Sequence, residues 1–188
     1  MSDKKILVFL ADGFEDVEAL VPIDILRRAG LEVITVSVTA DKKAQSAHQV
    51  TLTTDSTIDE LCDDMQADAL VLPGGMPGAE NLFASEKLAK LLKKQAKEQR
   101  LIAAICASPG VVLAGHGLLE DKKATCYPSF ERYFSDNTTH LAEPVVRDGA
   151  LITAMGPAYA FDFGFAILEA LTDAATVAEI KSGMLFAK

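Results

Sequence analysis

Short, near-continuous apolar runs alternating with stretches of helical spacing constrain this chain more than any other feature. Residues 5–10, 32–38, 69–72 and 101–105 are rich in Val, Ile, Leu and Ala, the composition of strands covered on both faces. Between and after them, apolar side chains recur at three- and four-residue intervals over 15–29, 78–83, 86–99, 159–171 and 174–186. Gly30 closes the first of these helices and Pro22 is expected to kink it. A short strand is expected at 49–53 and a short helix at 58–63. Strands and loops are expected over 122–148, with Val145-Val146 and 151–153 flanking a turn at Asp148-Gly149. Strands alternating with helices specify an α/β fold, a mostly parallel sheet with helices on both faces.

Size and charge narrow the function. With 188 residues, 49% of them apolar, the chain suits one domain, residues 1–188, with a full-sized core. A net charge of −9 with no cluster of Lys or Arg argues against nucleic acid, which is bound by neutralising its phosphates. No segment has the ~18 apolar residues of a membrane span, and Met-Ser-Asp-Lys-Lys runs straight into the first strand. The three cysteines, Cys62, Cys106 and Cys126, are an odd number without CxxC spacing. They fit a reducing cytoplasm, and neither a disulfide framework nor a zinc site follows from their spacing.

Cys106 stands where the apolar strand 101–105 gives way to Ala107-Ser-Pro-Gly110, a run suited to open a helix. Free cysteines are often inert core residues. A thiol at a sharp strand-to-helix turn, however, projects from the top of a parallel sheet beside unpaired N–H groups, which lower its pKa and raise its nucleophilicity. Ligands of such sheets bind at the carboxyl ends of the strands, so the segments 11–18, 73–78 and 106–110 are candidates. Pro73-Gly-Gly-Met-Pro-Gly78 carries neither a Walker Lys nor GxGxxG and is no nucleotide site. It reads either as a tight turn or as a cradle of exposed N–H groups for an oxyanion.

Glu15, Asp16 and Glu18 open the first helix, where acids complement the dipole. Glu18 shares a side with Val21 and Ile25, which implies partial burial. A buried carboxyl beside a thiolate stays protonated and donates to sulfur, so a nucleophile and a proton carrier come as a pair. His48, His116 and His140 are scattered, and none adjoins Cys106. Cys62, in an acidic stretch, reads as inert, and Cys126 has no assigned function.

Taken in order, 10–18, 71–81, Ala103-Ala-Ile-Cys-Ala-Ser-Pro109 and Gly156-Pro157 resemble the ThiJ/PfpI superfamily, most closely its DJ-one branch. The resemblance covers nearly the whole chain. It implies a flavodoxin-like three-layer sandwich, a homodimer, and a reactive, oxidation-prone Cys106 partnered by a protonated Glu18. It also implies an anion pocket framed by Gly74, Gly75 and Ala107, with Glu15 and Tyr127 beside it and no cofactor or metal. Tyr127 stands where many relatives have His, Ser108 and Ala158 where Gly is common, and His48 where some have Arg.

Three functions follow from that resemblance. The first is a glutathione-independent glyoxalase or protein deglycase acting on methylglyoxal or glycated thiols and amines, in oxidative-stress protection. The second is a non-enzymatic redox sensor or chaperone working through Cys106 sulfinate. The third, a PfpI-type peptidase or amidase, is disfavoured because Ala107, and not His, follows the cysteine.

Overall fold

The computed structural model describes residues 4–62 and 65–186. In chain order the strands and helices are β1 (Lys5–Leu10), α1 (Asp16–Arg28), β2 (Glu32–Ser37), β3 (Lys43–Gln45), β4 (Thr51–Thr53), β5 (Ser56–Thr57), β6 (Ala69–Leu72), α2 (Gly78–Ala84), α3 (Glu86–Lys97) and β7 (Leu101–Ile105). They continue with β8 (Lys123–Ala124), β9 (Thr139–His140), β10 (Val145–Asp148), β11 (Leu151–Ala154), α4 (Ala160–Leu171) and α5 (Ala174–Gly183).

Seven strands form one sheet in the order β10-β11-β7-β6-β1-β2-β5. Every pairing is parallel except the β10–β11 hairpin, which turns at Asp148-Gly149 as the sequence predicts. β6, β7 and β11 are buried at every position, so their uninterrupted apolar runs reflect cover on both faces. α1 packs with α4 and α4 with α5, while α2 packs with α3. The result is a mostly parallel α/β sheet surrounded by helices, as expected. Register sets the functional edge. Val8 of β1 is level with Val71 of β6, and Leu72 of β6 with Ala104 of β7. The loops leaving the three central strands therefore converge at one edge of the sheet.

The differences from expectation have local causes. The strand expected at 49–53 is the shorter β4; it pairs with the polar strand β3 in a separate antiparallel ribbon, outside the main sheet. β4 buries none of its three residues, so it has no apolar face to place in the layered core, and β5 takes the sheet edge instead. The helix expected at 58–63 is a single 3₁₀ turn, Ile58–Glu60, and Asp63 lies outside the described residues. α1 runs without a break through Pro22, which is buried. The helix after Cys106 is a π-helical turn, Pro109–Ala114, a form that recurs at functional sites.

Candidate functional site

Cys106 has a positive φ of 65°, a conformation that costs a non-glycine residue of order 1–3 kcal/mol and persists only when its surroundings enforce it. They do so from both sides. The Cys106 N–H donates to the Ala154 carbonyl at 2.9 Å, and the Cys106 carbonyl accepts from the Tyr127 N–H at 2.8 Å. The forced turn lifts the side chain off the sheet, as in a nucleophile elbow. The residue is 9% exposed.

Glu18 is completely buried. It lies in the first turn of α1 and is fixed there by Glu15, whose Oε2 accepts the Glu18 N–H at 2.7 Å as the helix N-cap. Its own Oε2 accepts the Gly74 N–H at 2.8 Å, while Oε1 has no hydrogen-bond partner among the described residues. The carboxyl group and Cys106 both lie against Gly74, near enough for each to shift the ionisation of the other, and the Gly75 and Ala107 N–H groups act on the same thiol.

The glycines are needed for this closeness. A Cβ on Gly74 would lie 2.6 Å from Cys106 Cβ and 2.8 Å from Glu18 Oε2. Gly75 has φ +88°, and a Cβ there would meet the Gly13 carbonyl oxygen at 2.5 Å. Gly75→Ala is accordingly expected to destabilise the fold by about 2–4 kcal/mol, through backbone strain and overpacking. Urea unfolding reads this directly, and a change below about 0.5 kcal/mol would show that the loop relaxes freely.

Burial governs the ionisation of the pair. It pushes the Glu18 carboxyl up from 4.5 to about 7, against the opposing effect of Cys106 and the hydrogen bond from Gly74; the charge of Glu15 adds to the rise. Burial pushes the Cys106 thiol up too, as does the charge of an ionised Glu18, while the Gly75 and Ala107 N–H groups oppose this. The expectation that the turn simply lowers the thiol pKa is corrected here. Protonation of Glu18 removes the carboxylate charge that opposes ionisation of the thiol. The two groups therefore titrate as a unit and hold at least one proton near neutrality.

Other expected residues fall around this pair. Tyr127 touches it through its backbone; its side chain is half-exposed and packs edge-on to Phe130. The histidines go elsewhere: His48 Nδ1 is 2.9 Å from Asp16 Oδ2, His116 stacks on Phe83, and His140 lies edge-on to Phe134. Glu15, Asp16 and His48 bring three possible ligand atoms within 4.8 Å of one another. The Asp16–His48 contact and the Glu15 cap account for all three members of that group. Cys62 is exposed, and Cys126 is buried, its thiol pushed up to about 12 by burial and by Glu131. Sequence reasoning missed the role of Ser108, which is buried and donates from Oγ to the Pro73 carbonyl at 2.6 Å. That bond ties the turn after Cys106 to the Gly74-Gly75 loop, and no pattern in the sequence marks it.

The DJ-1/PfpI family model matches residues 4–170 of the chain. The chain belongs to the DJ-1/PfpI family. It is 41% identical over 165 residues to protein DJ-1 homolog B of Arabidopsis thaliana, covering 88% of this chain but only 37% of that longer protein. The Parkinson disease protein 7 homolog of Danio rerio is 34% identical, with 98% of each chain covered. The solved structure of oxidized Toxoplasma gondii DJ-1 superposes with a TM-score of 0.93 at 36% identity, covering 98% of this chain and all of that one. The fold is thus the flavodoxin-like fold of the DJ-1 structures. Within this DJ-1/PfpI chain, three of the four motifs that carried the resemblance supply Glu18, Gly74, Gly75, Cys106 and Ala107. No helix among the described residues is long and apolar enough to cross a membrane.

Proposed function

We propose that the chain is a cofactor-independent glyoxalase or deglycase, with Cys106 as nucleophile and Glu18 as proton carrier. The observation that carries this reading is a fully buried carboxyl, raised to about 7, packed beside a thiol held at a strained turn. Such a pair can exist as thiolate and carboxylic acid. The thiolate adds to the aldehyde carbon of methylglyoxal, and the Glu18 proton passes to the resulting alkoxide, giving a hemithioacetal and a carboxylate. That carboxylate removes the C1 proton to give an enediol and delivers it to C2, while the hydroxyl proton on the C1 oxygen passes to the C2 oxygen, which converts the hemithioacetal into an enzyme-bound thioester of lactate. Water cleaves the thioester, releasing lactate and restoring the proton shared by the pair. The Gly75 and Ala107 N–H groups face the sulfur, close to where oxyanions develop. The same steps on glycated Cys, Lys or Arg side chains constitute deglycation.

The test is lactate formation from methylglyoxal by the full chain, measured against Cys106→Ala. Turnover confined to wild type supports the proposal; equal rates in the two proteins overturn it.

A second reading, redox sensing or chaperone action through a Cys106 sulfinate, draws on the same contacts, since the Glu18 acid and two N–H donors suit sulfinate oxygens. Under mild hydrogen peroxide, intact-mass spectrometry should find two added oxygen atoms on Cys106 and far fewer in Glu18→Leu. Equal oxidation in both proteins counts against it. The peptidase or amidase reading has less support, since each of the three histidines has its contact elsewhere. We also propose a homodimer, formed through the exposed apolar residues Val17 and Leu20 of α1 and Val50 before β4. Action within the cytoplasm belongs to the same proposal.

A further inference from the structure

The opposite edge of the sheet, where β7 and β11 begin, carries a groove that the Cys106 site does not use. Two cavities of about 360 and 400 Å³ open there and share the wall formed by Gln99, Arg100, Gly149 and Ala150. Each volume lies in the range of small-molecule sites, about 300–1,000 Å³. The floor of the first is apolar, made by Ile102, Leu113, Leu118 and Leu151.

The rim is cationic. Arg100 and Lys122 line the first cavity, and Lys4 and Arg147 join Arg100 in the second. Two acids, Asp68 and Asp148, share these walls, and both are engaged. Asp68 is paired with Lys4 at 2.9 Å, and Asp148 Oδ2 accepts the Lys123 N–H at 2.9 Å. In a chain of net charge −9, a groove in which cations outnumber acids departs from the surface as a whole. One terminal nitrogen of Arg100 pairs with Glu98, and the side chain keeps about a quarter of its surface, 24%, exposed.

We propose that this groove is a second ligand site, selective for a small organic carboxylate with an apolar body. The guanidinium edge and Lys122 would take the carboxylate, and the Leu and Ile floor would take the hydrocarbon. Both halves are needed: a bare inorganic anion leaves the floor wet, and a neutral apolar molecule brings no charge to the Arg100 and Lys122 rim. Ile102, near the start of β7, and Cys106, just past its end, lie four residues apart, roughly 13 Å at strand rise. The groove is therefore separate from the thiol pocket and its occupancy independent of the proposed chemistry.

Titration of the 188-residue chain with 4-phenylbutyrate, followed by amide NMR, tests the assignment. Saturable shifts are expected at Ile102, Leu118 and Leu151, with none at Gly74 or Cys106 and with unchanged affinity in Cys106→Ala. Arg100→Gln should weaken binding at least about tenfold, the scale of a lost charge-assisted hydrogen bond. Lys122→Glu, on the exposed rim, should weaken binding in the same direction without touching the core. No saturable shifts, equal binding of 4-phenylbutanamide, equal competition by inorganic phosphate, or affinity indifferent to both substitutions would each overturn it.

Discussion

Glu18→Gln is expected to lower lactate formation from methylglyoxal by roughly 10²–10⁴-fold, the usual contribution of a positioned acid–base group. The amide preserves the shape of the side chain and an oxygen to accept the Gly74 N–H, now held at 2.8 Å by Glu18 Oε2. It cannot carry a proton between C1 and C2. The pH profile should change with the rate. In wild type the Glu18 carboxyl is raised to about 7, so kcat/KM should rise with pH as the pair passes from two protons to one in that region. The variant should lack this inflection, because its remaining thiol titrates alone. A Glu18→Gln enzyme of wild-type rate and profile would remove Glu18 from the chemistry while leaving the fold untouched.

The same carboxyl should make stability depend on pH. Its ordinary value of 4.5 applies to the unfolded chain, and the folded value is about 7. Between the two, the unfolded chain has lost a proton that the folded protein retains. Stability therefore falls as pH rises through this window, by about 3 kcal/mol in total. The contribution is fully present below pH 4.5 and gone above about 7. Glu18→Gln has no carboxylate to bury, so relative to wild type it should gain by about that amount at pH 8 and little at pH 4.5. Urea unfolding of both proteins across this range measures the difference. A constant difference between them would mean that Glu18 titrates normally in the folded state.

Most of the layered fold was legible because burial on both faces leaves a mark in sequence. β1 and β6 coincide with the runs at 5–10 and 69–72, and Gly30, at φ +72°, follows the end of α1 as read. Where side chains are polar or half-exposed the mark disappears. β3, Lys-Ala-Gln, has no strand signal and owes its form to its ladder with β4. The π-helical turn after Cys106 was also hidden, since residue identity does not distinguish one helical hydrogen-bond spacing from another.

At the candidate site the residues were legible, but the balance of forces was not. Cys106 announced itself by the strand-to-turn junction, and Glu18 by its side of the helix. The direction of the thiol pKa depends on how deeply the sulfur and its partner acid are buried together, and that is a property of packing. Ser108 shows the same limit from another side: its 2.6 Å bond to the Pro73 carbonyl spans 35 residues of chain. Periodicity along the chain thus specified the layers and the strand ends, and it singled out Cys106 and Glu18, because those follow from local spacing and from what each side chain can bury. Distances, ionisation and the groove around Arg100 were decided only in three dimensions, since each depends on groups far apart in sequence sharing one small volume from which water is largely excluded.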